Sequence, residues 1–414
     1  MTADAPRIWF EVGFLIDHFT RDLRSNGIQR VGLELLRSVR ELDDVRIGLC
    51  RFVVRPGGTH LEPVDYSWLE AVCAGAAYIP KGWPRWKDWI RKTARNAVSL
   101  VVPKGPADRA GMAPGDILLM IGTDWSEAGI RAWVRTARAE RRIRFAVMIH
   151  DVIPFTHPRL VAPIFLRNFT RNFHETAALA DTVLVSSQFT AAQIATVCQD
   201  WGWPTPRMAR IHFGAGFVSA DLPAAAMTGA KLPESFVLFV SSIEGLRKNH
   251  IQLVRVWRKL LDRHGAATVP SLVFIGTGRL VDGVAAALRA DPELREKVIA
   301  ISDGSEELLR EAYRNCLLTV YPSLVEGWGL PVAEALTFGK FCVASNRGSL
   351  PEVAGDLIDY FDPDDDDDAL TLIERAIFDA AYRRARTARI AAEFHPPSWR
   401  DCASQLVAVL TREG

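Results

Sequence analysis

The sequence has little that would build a covalent framework or a metal site. Its 414 residues include six cysteines, Cys50, Cys73, Cys198, Cys316, Cys342 and Cys402, none of them in CxxC or CxxxC spacing. That scatter argues against a zinc centre or a disulfide scaffold and fits a reducing, cytoplasmic compartment. Charge of one sign is also lacking, since 50 basic and 49 acidic side chains leave a formal net charge of +1. A nucleic-acid binder draws its affinity from many phosphate contacts, so the composition disfavours that class while leaving room for a local basic patch. No run of about 18 apolar residues is present, so no membrane-spanning helix is expected. The first six residues show no basic-then-apolar signal-peptide pattern. The first predicted strand, residues 7–16, is not followed by GxGxxG, which counts against a nicotinamide-dependent oxidoreductase.

What is present reads as an ordinary folded protein, with 49% hydrophobic and 24% charged residues. The length exceeds one usual hydrophobic core and predicts two domains. Strand-like segments at 7–16, 45–54, 116–121, 143–149 and 182–185 alternate with helical stretches, one of them over 28–42. They predict a first βα domain over 1–221. Residues 222–233 hold three consecutive alanines, two prolines and a glycine, and read as a linker. The alternation resumes in a second domain over 234–388. Its predicted strands are 236–240, 271–275, 297–301, 317–321, 341–344 and 357–361. Helices are expected at 249–263, from 282, and at 306–313, 331–338, 369–387 and 398–411. Residues 389–414 are expected to pack back toward the first domain. The pattern predicts an α/β protein whose two parallel, Rossmann-like sheets face each other across a cleft. The acidic run at 362–368 lacks the glycine and closing glutamate of a calcium loop. Aspartates favouring a helix start explain it better.

The most informative string is YPSLVEGWGLPVAEAL at 321–336, which follows a predicted strand. Pro331 suits a first helical turn, and Gly327 and Gly329 allow close approach of backbone to a ligand. The new helix would aim free amides at a phosphate, while Glu326 and Glu334 could accept hydrogen bonds from hydroxyl groups. Taken alone, the same residues also describe a plain strand–loop–helix junction. Arg247 and Lys248, in SIEGLRKNH at 242–250, stand together at a predicted helix start, where cations are disfavoured unless an anion joins them.

The 321–336 string resembles the E-x7-E motif, with its flanks, of retaining glycosyltransferases of GT-B architecture, glycosyltransferase family four. The resemblance carries Glu326 to the donor sugar and Glu334 to the nucleotide ribose, with Gly327, Trp328, Gly329 and Leu330 lining the donor site. Trp328 stands where phenylalanine is more common. SIEGLRKNH is similar to the family's phosphate-binding turn, so Lys248 is implied to hold the donor diphosphate. Ser242 occupies the place of a second cation, and Arg247 is expected to supply part of its charge. HDVIPFTHP at 150–158 resembles a variant that places His150 against the donor sugar and Asp151 at the acceptor or as an orienting group. SNGIQR at 25–30 resembles the family's glycine loop, with Gly27 near the donor phosphate and Arg30 facing the cleft or the surface. NRGSLPEVAGD at 346–356 continues the family pattern as cleft wall.

The implied reaction is hexose transfer with retention, without a metal or other cofactor, from a nucleotide-diphosphate sugar. The HDxIPxxHP and RKNH variants point to mannosyltransferases and GDP-mannose. A UDP- or dTDP-sugar with a soluble acceptor, or a catalytically silent scaffold, are the alternatives. Twelve tryptophans are many, and Trp83, Trp86 and Trp89 share the basic stretch WPRWKDWIRKTAR with Arg91 and Lys92. Such a helix could rest peripherally on an anionic membrane and serve a glycan or polyprenyl-diphosphate-linked acceptor, or it could line the acceptor cleft.

Overall fold

A computed structural model describes residues 5–21, 27–55, 58–74, 110–123, 127–161, 163–215, 231–243, 245–302 and 305–412. The tryptophan-rich stretch, with Trp83, Trp86, Trp89, Arg91 and Lys92, lies outside them, as does most of the expected linker.

The first sheet contains β1 (Ile8–Glu11), β2 (Ile47–Arg55), β3 (Gly58–Pro63), β4 (Ile117–Met120), β5 (Arg144–Met148), β6 (Thr182–Val185) and β7 (Met208–Arg210). Their order is β3-β2-β1-β4-β5-β6-β7. All pairs are parallel except β2 with β3, a hairpin on the sheet edge. The second sheet contains β8 (Phe236–Val240), β9 (Ser271–Ile275), β10 (Val298–Ile301), β11 (Leu318–Tyr321), β12 (Cys342–Ser345) and β13 (Asp359–Phe361). It is parallel throughout, in the order β10-β9-β8-β11-β12-β13. Parallel strands need crossovers over both faces, so they are buried on both sides and read as continuous apolar runs rather than alternating ones. IWFE, ILLM and TVLV, for example, are buried at every position.

Helices that matter below are α1 (Gly13–Phe19), α2 (Gly27–Arg40), α3 (Gln188–Asp200), α4 (Leu330–Thr337), α5 (Leu350–Ala354), α6 (Asp366–Phe378), α7 (Ala380–Glu393) and α8 (Trp399–Thr411). Two predicted elements have other bounds in the structure. The strand expected over 7–16 stops at Glu11, and α1 follows, because the Glu11 carboxylate accepts the Gly13 amide at 2.8 Å and turns the chain. Phe14, Leu15, Ile16 and Phe19 are buried, and an apolar run of that length suits a strand or a buried helix equally. The helix expected over 369–387 is two helices. Asp379 ends α6 and caps α7 by accepting the Tyr382 amide at 2.8 Å. Strands β3 and β7 had no counterpart among the predicted strands. The acidic run does start a helix: the Asp365 side chain accepts from the Asp367 and Asp368 amides, capping α6.

Each half has its own core, built on Phe236, Leu238, Trp257, Phe274 and Phe341 in the second. The first sheet is covered on one face by Leu35, Leu36 and Phe19, and on the other by Ile130, Val134, Phe173 and Ile194. The end of the chain crosses between them. Trp399, Cys402, Leu406 and Leu410 of α8 join the first half's core, against α2. All six cysteines are buried and none is joined in a disulfide, so packing rather than crosslinking carries the fold.

Candidate active site

Strand order in the second sheet reverses between β8 and β11, and in open parallel sheets that crevice is where ligands bind. The loops leaving those two strands carry the predicted residues. After β8 the chain makes a short turn, Leu246–Lys248, and Asn249 takes a left-handed conformation at φ 55° before the next helix. After β11 it runs through Glu326 to α4. The two loops meet in one buried cluster. Lys248 Nζ donates to Glu326 Oε1 at 2.5 Å and to the Tyr321 hydroxyl at 3.0 Å. Arg247 donates to Glu326 Oε2 at 2.6 Å and to the Val325 carbonyl at 3.0 Å. Tyr321 in turn donates to Glu326 Oε1 at 3.3 Å.

Two cations on one carboxylate set the electrostatics. Burial alone would raise the Glu326 carboxyl, since only 7% of the residue is exposed, but Arg247 and Lys248 overcome it and hold it at about 2. Burial pulls the Lys248 ammonium down to about 8, against the attraction of Glu326 and with help from the Arg247 charge. Arg247 loses by burial as well, yet Glu326 and Asp151 together leave its guanidinium more firmly protonated than usual. Asp151, from the first half, therefore acts on both cations. The arrangement is a compact pair of buried cations neutralised by one internal anion, chemistry that suits an incoming anionic group in its place.

Glu334 lies one turn into α4, 2% exposed. Its Oε2 accepts from the Tyr313 hydroxyl at 2.9 Å, and it pairs with Arg30 of α2, reaching across from the first half. Arg30 thus faces the cleft. Gly27 opens α2 opposite Leu330, whose Cδ1 would be 3.8 Å from a side chain at residue 27. His150 follows β5 and sets its Nε2 2.8 Å from the Ile121 carbonyl. That acceptor requires the proton on Nε2, and burial lowers the ring's pKa, so the imidazole is neutral and Nδ1 is left as an acceptor.

Gly327 shows why the loop needs glycine. A Cβ there would lie 2.2 Å from the His150 carbonyl oxygen and 2.9 Å from Asp151 Cβ, so the two halves touch backbone to backbone. The Gly327 carbonyl accepts from Ser187 at 2.8 Å and from Ser186 and Thr190 at 3.3 Å each. Gly348, at φ +66°, plays the matching part behind the loop, where a Cβ would be 2.6 Å from the Glu326 carbonyl oxygen. Trp328 has turned away from the cations: its ring meets Phe213 edge-on at 6.1 Å and packs on the core of the first half.

The structure therefore gathers Arg247, Lys248, Glu326, Gly327, His150 and Asp151 at one place, and Gly27, Arg30, Leu330 and Glu334 beside it. Sequence reasoning missed Tyr321 and Tyr313, which hold the two glutamates, and the interdomain role of Ser187. Tyr321 could have been found as the polar end of an apolar strand at the switch point. Tyr313 carries no local signal. Among the described residues no helix is long and apolar enough to cross a membrane.

Comparison with known proteins bears on the same elements. Residues 226–393 match the family of glycosyl transferases group 1. Over 284 residues the chain is 28% identical to the serotype-specific mannosyltransferase WbdA of Escherichia coli, covering 64% of this chain and 33% of that protein. Over 270 residues it is 27% identical to the O-antigen chain mannosyltransferase B of Escherichia coli, covering 64% of this chain and 69% of that one. The chain thus spans about a third of WbdA. Among solved structures, sucrose-phosphate synthase from Thermosynechococcus elongatus superimposes with a TM-score of 0.59 at 18% identity, over 98% of both chains. A glycosyltransferase from Rickettsia africae gives a TM-score of 0.59 at 12% identity, again over 98% of both. The fold is GT-B.

Proposed function

We propose that this chain, a GT-B protein whose residues 226–393 form a group 1 glycosyl transferase domain, is a retaining hexosyltransferase. It moves mannose from GDP-mannose to a glycan or polyprenyl-diphosphate-linked acceptor in the synthesis of a bacterial surface polysaccharide. The observation that carries this reading is the pair of buried cations, Arg247 and Lys248, converging on Glu326 at the topological switch point. The likeness to two mannosyltransferases supports the choice of sugar.

Departure of the nucleotide diphosphate limits such a reaction, as the sugar gains oxocarbenium character. Arg247 and Lys248 meet the developing phosphate charge from a dry, preorganised site. The loss of one such donor typically costs about 3–4 kcal/mol of transition-state stabilisation. Glu326, released from the cations by the diphosphate, is then placed to accept from sugar hydroxyls. Neutral His150 offers Nδ1 to another. Glu334 binds the ribose and exchanges Arg30 for it. Asp151 orients the acceptor, and the leaving phosphate takes the acceptor proton on the same face, which retains configuration. The basic tryptophan stretch suits peripheral contact at the cytoplasmic face of the membrane, where a lipid-linked acceptor is presented.

The test is a screen of GDP-mannose, UDP-glucose and dTDP-sugars against polyprenyl-linked and free glycan acceptors, read by product mass and by anomeric configuration. An α-mannosylated product from GDP-mannose is expected. Transfer from UDP- or dTDP-sugars alone would overturn the donor assignment, an inverted product would overturn the mechanism, and no turnover of any donor would favour a silent scaffold.

A further inference from the structure

Glu352 lies in the stretch SLPEVAG, and the reaction above leaves it without a task. Its carboxylate reaches out of its own half of the molecule. Oε2 accepts the Gln188 amide at 2.7 Å and Oε1 the Phe189 amide at 2.6 Å. These are the first two amides of α3, which have no acceptor within the helix and carry the positive end of its dipole. Arg210 on β7 stands 3.6 Å from the same carboxylate. The residue before α3, Ser187, holds the Gly327 carbonyl at 2.8 Å. One helix start in the first half therefore grips the second half twice, at α5 and at the loop that carries Glu326. Those two grips are themselves tied together. The Glu326 carbonyl accepts from the Ser349 amide and hydroxyl at 3.1 Å each, so the loop is tied to the start of α5 through its backbone.

We infer that Glu352 is a positioning residue for the transfer, capping α3 across the cleft and thereby setting the register of the Glu326 loop against His150 and Asp151. The inference rests on the proposed reaction. Glu352 touches no substrate, and acts through the backbone between Ser349 and Glu326. The cap is charge-assisted on both oxygens, so glutamine, whose amide nitrogen cannot accept, keeps at most one neutral bond, and truncation removes both.

Full-length Glu352→Gln and Glu352→Ala are compared with wild type in three measurements. Amide hydrogen exchange over the start of α3 is expected to quicken in both variants. GDP affinity, measured by calorimetry, is expected to stay within about two-fold, because Arg247, Lys248 and Glu326 are untouched. The kcat for mannose transfer from GDP-mannose is expected to fall about ten-fold in the Gln variant and further in the Ala variant. A general structural lesion would lower GDP affinity along with kcat, and that joint loss would overturn the assignment. Unchanged exchange would refute the cap, and an unchanged kcat despite faster exchange would refute the positioning role. If the Ala variant does not fold, the isosteric Gln variant decides. A wild type that transfers no sugar would sink the proposed reaction and this role with it, whereas active wild type with equally active variants sinks this role alone.

Discussion

Replacing Glu326 by glutamine separates the two jobs its carboxylate performs. In the free protein it neutralises Arg247 and Lys248, and those two cations hold its carboxyl at about 2, well below the ordinary 4.5, while burial at the same time pulls Lys248 down to about 8, so the two shifts offset each other in stability. Removing the carboxylate leaves both buried cations uncompensated, and breaking a buried ion pair by removing one partner costs about 3–5 kcal/mol. The variant should therefore unfold in urea with about 3 kcal/mol less stability. The sign of the pH dependence follows: in wild type this contribution is complete above about 4.5 and fades as pH falls toward 2, whereas in the variant that loss is missing. Glutamine also removes the anion with which a diphosphate must compete. GDP should bind the variant about ten-fold more tightly and stabilise it more than wild type, at 1.4 kcal/mol per decade. Transfer should nevertheless drop by a hundred-fold or more, as for loss of a transition-state contact, roughly 3 kcal/mol. Urea unfolding, calorimetry with GDP and turnover of GDP-mannose make the three measurements. Equal urea stability together with equal or weaker GDP binding would refute the idea that Glu326 stands in for the diphosphate.

Three further outcomes are expected. The donor KM should rise as pH passes about 8, where Lys248 loses its proton, and Lys248→Arg should flatten that limb because a guanidinium stays charged; an unaltered profile in that variant would point to another group. Gly327→Ala drives a methyl against the His150 carbonyl at 2.2 Å and should cut kcat about a hundred-fold through loop displacement while circular dichroism stays native; full activity would mean the halves do not meet this way during turnover. Replacing Trp83, Trp86 and Trp89 together by alanine should weaken sedimentation with phosphatidylglycerol vesicles at low salt, and failure of the wild type to bind such vesicles would remove the membrane contact altogether.

Much of the fold was legible because parallel strands buried on both faces leave contiguous apolar runs, as at Phe236–Val240 and Thr182–Val185, where prediction and structure coincide. Where the pattern is ambiguous the reading slipped. Residues 12–16 continue the apolar run of the first strand, while the Glu11 carboxylate on the Gly13 amide turns the chain into a helix there. The hairpin strand β3, on the edge, is half exposed and carries no such run. Site residues were legible where a loop has to leave a strand with glycines, a proline and charges in a fixed order, as from Glu326 to Glu334. Trp328 shows the limit, since its neighbours face the cleft while its ring enters the first half's core.

By itself the sequence determined the alternation of strands and helices, the two cores and the types of side chain brought to the strand ends, because these depend on local periodicity and turn chemistry. It could not say which charges would meet. Arg247 and Lys248 are separated from Glu326 by 79 and 78 residues in sequence, and β8 and β11 become neighbours only through the strand order. Likewise Arg30 on Glu334, Ser187 on Gly327 and Glu352 on α3 join opposite halves of the chain. Such pairs carry no local signature, because each partner satisfies a group that its own segment leaves open, and only tertiary packing decides who supplies it.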